Sequence, residues 1–188
     1  MFLVHGTAEH LPEGFFSALS KYRYSVFVEQ LGWDLNTSNG LELDQFDRED
    51  TVYVVARDEK GEISGCARLL PTTRPYLLGD IFPELLNGLP VPESAEVWEL
   101  SRFAAVDLQN SRPGAAGQFS SPVAVGLLKE ALACAAARGA KRLITVSPVG
   151  VERLLRRAGF NAHRAGPPKI VDGYPLFACW IEIESDAK

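Results

Sequence analysis

Apolar residues recur at three- and four-residue steps through Phe15, Phe16, Leu19, Tyr22, Val26 and Phe27, and this spacing predicts an amphipathic helix. Pro12 suits its first turn and Glu13 the positive end of its dipole, so the helix is expected over 12–31, ended by Gly32. Residues 2–5 precede it as a short strand. Residues 33–50 (WDLNTSNGLELDQFDRED) follow with no period and many turn formers and acids, a long loop of the kind that usually carries function. The pattern then becomes that of strands: TVYVVAR (51–57), a DEKGE turn and ISGCARLL (63–70) make a hairpin. GDIFPELL (79–86) reads as a short helical or turn segment, EVWELSRFAAV (96–106) as a central strand, and DLQNSRPGAAGQFSS (107–121) as a second loop. Ser121-Pro122 caps a helix running to about Arg138 and closed by Gly139. KRLITV (141–146) is a buried strand, and Ser147-Pro148 opens another helix that ends near Ala158-Gly159. NAHRAG (161–166) and Pro167-Pro168 lead into a last strand, PLFACWIEIE (175–184).

This order predicts an α+β fold with a single mixed central sheet flanked by helices, one domain over 1–188. It is similar to the element order of the N-acetyltransferase superfold, an analogy that by itself implies no chemistry. Composition narrows the function classes. The 188 residues are 46% apolar and 23% charged, as in ordinary globular proteins. A net charge of -5 at pH 7 makes nucleic acid an unsuitable partner. Cys66, Cys134 and Cys179 are odd in number and far apart, and His5, His10 and His163 are scattered, so neither a disulfide framework nor a metal site is expected. The N-terminus lacks a basic region ahead of its few apolar residues, and no apolar run approaches the roughly 20 residues that cross a bilayer, so a cytoplasmic protein without membrane insertion is expected.

Two constellations carry chemistry. Arg23 and Phe27 are one helical turn apart, Trp33 lies just past the helix, and Asp44 and Asp47 follow in the acidic loop. Aromatic faces bind sulfonium-like cations, a guanidinium binds carboxylate, and aspartates receive ammonium or hydroxyl donors. The same residues also suit a core helix whose arginine pairs with a solvated loop. The second constellation is Glu99, Ser101 and Arg102 on the central strand, among Val97, Trp98, Phe103, Ala104 and Ala105. Charges there are costly unless paired or functional, and a buried salt bridge is as good a reading as a catalytic pair. Strict alternation puts Glu99 and Arg102 on opposite faces, so a shared site requires a bulge between them. Arg68, ending the hairpin, could join either group.

No strand-borne G-x-G-x-x-G, P-loop or G-x-S-x-G occurs in the chain. Gly114 and Gly117 are too few and irregular for a pyrophosphate cradle, which disfavours a coenzyme A nucleotide as acyl donor. A carrier protein's phosphopantetheine arm needs no such cradle.

The strings YRYSVFVEQLGW (22–33), LDQFD (43–47), ARLLPT (67–72) and ELSRFAA (99–105), in this order, resemble the LuxI family of acyl-homoserine-lactone synthases. The C-terminal VSPVGVERLLRRAG, AHRAGPP and DGYPLFACWIEI look most like the Burkholderia-type octanoyl synthases. Positions matching the family's motifs are Arg23, Phe27, Trp33, Asp44, Asp47, Arg68, Glu99 and Arg102, with Phe82 a further match. The resemblance implies an acetyltransferase-like fold, acyl-carrier protein and S-adenosylmethionine as substrates, and no separate cofactor. It implies transfer of a medium-chain acyl group to the substrate amine, then lactone closure with release of methylthioadenosine (MTA). Glu99 is then the expected general base, Ser101 a minor oxyanion donor, and Arg23, Arg68, Arg102, Asp44, Asp47, Phe27 and Trp33 the adenosylmethionine site. Glu99→Gln is expected to lower turnover with little change in stability. The acyl pocket is expected between KRLITV and the helix after it. Leu100, Phe103, Ile144, Val146, Leu155 and Trp180 would line it, with Phe82, and Thr145 as a hydroxyl that could favour a 3-oxo chain. Arg138, Lys141, Arg142, Arg153, Arg156, Arg157, Arg164 and Lys169 face a single acid, Glu152, between 138 and 169. Such asymmetry in an acidic chain points to a docking face for an acidic carrier protein at Arg153, Arg156 and Arg157. The alternatives are an acyl-CoA-dependent N-acyltransferase acting on another amine, and a ligand-sensing module that turns nothing over.

Overall fold

A computed structural model describes residues 1–35, 37–108 and 121–184, so most of the expected second loop, with Gly114 and Gly117, lies outside the described residues. The elements in chain order are β1 (Phe2–Gly6), α1 (Phe15–Arg23), β2 (Val52–Arg57), β3 (Ile63–Pro71), α2 (Leu77–Ile81), β4 (Val97–Ala104), α3 (Pro122–Ala136), β5 (Arg142–Pro148), α4 (Val151–Arg157), β6 (Ala162–Arg164), β7 (Lys169–Val171) and β8 (Tyr174–Glu182). The strands form one sheet in the order β1-β2-β3-β4-β5-β8-β6, with β7 added onto β8. The β4–β5 pair is parallel and β1–β2, β5–β8, β6–β8 and β7–β8 are antiparallel, which is the mixed sheet expected.

The chain divides into two compact units. The first comprises Met1–Arg68 and Arg102–Glu130. Its core gathers Leu11, ahead of the first helix, and Phe15, Leu19, Tyr22, Val26 and Phe27 along it and its wide continuation, with Tyr53, Val55, Cys66 and Ala104. The long helix expected over 12–31 is divided. Its regular part starts only at Phe15, after Gly14 in the left-handed conformation, and from Tyr24 to Gln30 it widens into a π-helical stretch. Such stretches are rare and tend to occur at functional sites. The β2–β3 turn is built by Asp58, whose Oδ1 accepts the Lys60 and Glu62 amides, with Gly61 left-handed at φ 87°. Ser121 caps α3 by accepting the Ala124 amide through Oγ, as its position before Pro122 implied.

The second unit comprises Leu69–Ser101 and Ala131–Lys188. Leu70, Leu78, Leu85, Leu86, Leu143, Ile144, Phe177, Ala178 and Ile181 are buried in it. Ser147 and Pro148 end β5 rather than opening a helix, because both stay in register with Phe177 and Leu176 of β8. α4 begins three residues later, after left-handed Gly150. NAHRAG holds a short strand, β6, and a second, β7, follows Pro167-Pro168; both are hydrogen-bonded to β8. Arg142 and Trp180 sit on the same face of β5–β8, with the guanidinium 4.1 Å from the ring centroid.

Candidate functional site

Three arginines and three acids of the first unit close into a ring. Arg23 Nε meets Glu42 at 2.5 Å, Glu42 meets Arg102 at 2.9 Å, and Arg102 meets Asp44 at 3.0 Å. Asp44 meets Arg68 at 2.6 Å, and Arg68 and Arg23 both meet Asp47, at 3.3 and 2.7 Å. Every charge thus has two opposite neighbours, which makes burial of six ions tolerable. Glu42 was not among the sequence candidates. Charge balance could have found it: Arg23, Arg68 and Arg102 against Asp44 and Asp47 leave one cation without an acid.

The loop expected from residues 33–50 is pinned in place. The Glu42 amide donates to Ser20 O of α1, the Asp44 amide to Asp47 Oδ2, and the Phe46 amide to Asp44 Oδ1. Tyr53 adds a hydroxyl to Asp47 Oδ1 at 2.8 Å. Burial alone would raise the Asp47 carboxyl, but hydrogen bonds and charge from Arg23, with the charge of Arg68, outweigh it and hold the group well below the usual carboxylate range. Glu42 is lowered in the same way, with burial overcome by the charges and hydrogen bonds of Arg23 and Arg102. The thiol of Cys66, whose Sγ donates to Arg102 O at 3.2 Å, is pushed up to about 12, chiefly by burial, so it is not a nucleophile.

Arg23 engages Asp47 through both terminal nitrogens, at 2.7 and 3.0 Å, and Glu42 through Nε. Its fork is therefore committed inside the protein. The ring is most open at Asp44, whose side chain is 16% exposed, and beside it at Arg102. There the Phe27 and Trp33 rings stack at 4.9 Å and 29°, with the Arg102 guanidinium 5.7 and 5.9 Å from their centroids. Trp33 is 43% exposed and Phe27 is buried. The wide helical stretch makes this possible: the Trp33 amide donates back to Phe27 O at 2.9 Å and lays one ring over the other. An exposed indole face beside a carboxylate and a guanidinium can hold a ligand with a flat ring, a cationic centre and an anionic end.

β4 carries the second constellation. Arg102 has φ 49°, left-handed in a residue other than glycine, so the extended backbone of β4 is interrupted at Arg102. The β4–β5 ladder ends at Glu99–Ile144, while β5 continues along β8 as far as Pro148. Glu99 is fully buried and accepts the amides of Leu77 and Leu78, at 3.0 and 2.6 Å, where α2 begins. Ser101 is buried on the same strand.

The register divides the acyl-pocket candidates between two faces of the sheet. Ile144 lies opposite Trp180 and Val146 opposite Ala178 on one face, while Thr145 lies opposite Cys179 on the other. Arg164, across from Cys179, reaches Glu152 of α4 at 2.7 Å, so α4 and its buried Leu155 belong with Thr145. These side chains therefore do not line one surface between β5 and α4, because consecutive strand residues point to opposite faces. Leu100 is buried, and Phe82, just after α2, and Phe103 are half-buried. On α4, Arg153, Arg156 and Arg157 are exposed. Arg156 is held locally, by Ala162 O at 2.6 Å and Glu152 at 2.8 Å. Among the described residues no group of three or more His, Cys, Asp or Glu could hold a metal ion, and no helix is long and apolar enough to cross a membrane.

The autoinducer synthase family model matches residues 9–187. An acyl-homoserine-lactone synthase of Acinetobacter nosocomialis is 59% identical over 183 residues, 97% of this chain and 100% of the relative. The crystal structure of TofI in a ternary complex with an inhibitor and MTA superimposes with a TM-score of 0.83 at 50% identity, covering 98% of this chain and 92% of that one. BjaI, a CoA-dependent acyl-homoserine lactone synthase solved with SAM and isopentyl-CoA, gives 0.81 at 26% identity over 97% and 82%. A Lactobacillus plantarum protein described as an N-acetyltransferase gives 0.62 at 17% identity over 97% and 98%, a likeness of fold alone.

Proposed function

The chain belongs to the autoinducer synthase family, and from that premise we propose that it transfers an octanoyl group from acyl-carrier protein to the amine of S-adenosylmethionine. It is an acyl-homoserine-lactone synthase, an acyltransferase that makes a quorum-sensing signal with S-adenosylmethionine as substrate. The observation that carries the reading is the charge ring opening at Asp44 and Arg102 beneath the Phe27–Trp33 stack. The aromatic pair receives the adenosyl and sulfonium end, Arg102 the carboxylate and Asp44 the ammonium. Arg23, Arg68 and Asp47 act from behind, by fixing these two.

Acylation needs a proton taken from the α-amine, and Glu99 takes it directly or through a water. Backbone amides of β4 beyond the end of its ladder with β5 stabilise the oxyanion, with Ser101 a lesser donor; its collapse breaks the thioester C–S bond, and the carrier's thiol leaves with the proton that Glu99 returns. Lactone closure is intramolecular: the carboxylate attacks the γ-carbon and expels neutral MTA, so the protein's task is to hold the folded conformer. Leu100, Thr145 and Leu155, on the α4 face of the sheet, are the acyl contacts proposed. Ile144, Val146 and Trp180, on the opposite face, are not.

Purified protein given S-adenosylmethionine and a series of acyl-carrier proteins should release MTA and yield octanoyl-homoserine lactone as the main product by mass spectrometry. Each buried methylene is worth about 0.8 kcal/mol, so a shorter minor product should accompany it. A dodecanoyl or longer main product would overturn the chain assignment. A higher kcat/KM with octanoyl-CoA would instead favour the second reading, a CoA-dependent synthase, for which the likeness to BjaI speaks.

A separate test concerns charge. The KM for the acyl-carrier protein should rise steeply as salt shortens the Debye length to about 8 Å, while that for S-adenosylmethionine moves much less. Arg153→Glu with Arg157→Glu should raise the first constant at low salt and flatten its salt dependence. Arg156 is left out because its bonds to Glu152 and Ala162 hold α4 to β6. Carrier kinetics indifferent to both salt and reversal would put the docking face elsewhere.

A further inference from the structure

We propose that the outer end of the β7–β8 hairpin, together with Val149, is the apolar half of the surface that receives the carrier protein, an inference that rests on the carrier-protein reading above. Ile170 on β7 is 72% exposed and lies directly across from exposed Pro175. Val149, 48% exposed, donates its amide to Pro175 O at 3.3 Å and so extends the β5–β8 pairing by one residue, with Pro175 of β8 between it and Ile170. Pro175 and Cys179 are an even number of residues apart on β8, which places Ile170 and Pro175 on the face that α4 also covers. Val149 is followed after one glycine by α4 itself, and Arg153 and Arg157, four apart, share a side of that helix. The one acid on α4, Glu152, is already bonded to Arg156 and Arg164. An apolar knob thus adjoins the helix that carries Arg153 and Arg157, for which the ion pairs among the described residues include no acid, in a chain whose net charge is -5.

Large aliphatic side chains left exposed together mark an interaction site more often than chance. Three of them are too few for a stable dimer or for anchorage in a bilayer, but they suit a transient complex whose encounter is steered by charge. An acidic protein presenting apolar side chains between its carboxylates fits both halves. In this arrangement Arg153 and Arg157 set the encounter and its salt dependence, while Ile170 and Val149 set how long the complex lasts.

The test is steady-state kinetics with octanoyl-carrier protein, at low and at high salt, for the wild type, Ile170→Ser, the double variant Val149→Ser/Ile170→Ser, and the conservative Ile170→Leu. The serine variants should raise the KM for the carrier protein about tenfold at both salt concentrations, with kcat and the KM for S-adenosylmethionine unchanged. Ile170→Leu should stay near wild type, and turnover of a small octanoyl thioester should not distinguish any of the four. A wild type that uses octanoyl-CoA but not the carrier protein would defeat the donor assignment and the surface with it. A wild type that uses the carrier protein, with serine variants within twofold of it, would defeat the surface alone. Serine variants that lose vesicle binding or self-association without a change in carrier kinetics would likewise overturn it, in favour of a lipid or a second copy.

Discussion

Glu99→Gln should lower turnover by about a hundredfold or more at neutral pH, because the amide cannot accept the proton that leaves the substrate amine. The structure adds a cost to folding that the sequence did not suggest. Both carboxylate oxygens accept backbone amides, from Leu77 and Leu78, at a fully buried position. A glutamine can present its oxygen to only one of them and turns an NH2 group toward the other. Leaving that buried donor unpaired costs about 1–3 kcal/mol, and for a chain of this size each kcal/mol lowers the melting temperature by about 2–4 °C. A thermal melt and a turnover assay well below the transition separate the two effects. Near-wild-type turnover in folded Glu99→Gln would remove Glu99 as the base, whatever happened to stability.

Removing Glu42 should be the most damaging single change to the fold of the first unit. Glu42→Ala leaves Arg23 Nε and the Arg102 guanidinium without their shared acid and breaks the ring at a point closed to solvent. Breaking a buried ion pair in this way costs about 3–5 kcal/mol. Glu42→Gln, which keeps one acceptor oxygen, should lose less. Both variants weaken the hold of Glu42 on the Arg102 guanidinium, so the KM for S-adenosylmethionine should rise in both. The pH dependence gives an independent check. The folded-state carboxyls of Glu42 and Asp47 are depressed, so the stability they contribute is fully present above the ordinary carboxylate range and is lost as pH falls below it. Wild-type stability should therefore drop as pH falls from about 5, and the Glu42→Ala protein should show a shallower drop. An equally stable Glu42→Ala protein with an unchanged acid profile would sink the ring as a source of stability.

Much of this was legible in the chain. The strand period in 51–57 and 63–70, the Asp58–Gly61 turn, the Ser121-Pro122 cap and the Gly139 stop all act through near neighbours, so local chemistry suffices to read them. Three departures have non-local causes. The widening of the first helix at Tyr24 has no punctuating proline or glycine. Ser147-Pro148 has the form of a helix start but is captured by pairing with β8. Strands β6 and β7 are too short to show a period and exist because β8 offers them a partner.

By itself, then, the sequence determined the locally encoded elements and the need of its central-strand charges for partners, since period, caps and the cost of a lone buried ion are properties of residues and their near neighbours. Only the tertiary structure decided how those charges are shared. It closed Arg23, Glu42, Arg102, Asp44, Arg68 and Asp47 into one ring, turned the Arg23 fork inward, and left Asp44 and Arg102 as its open side. It also separated Thr145 from Ile144 and Val146. Ion pairing and strand register depend on groups tens of residues apart arriving at the same place, and the energy that selects one partner over another exists only once the chain has brought them there.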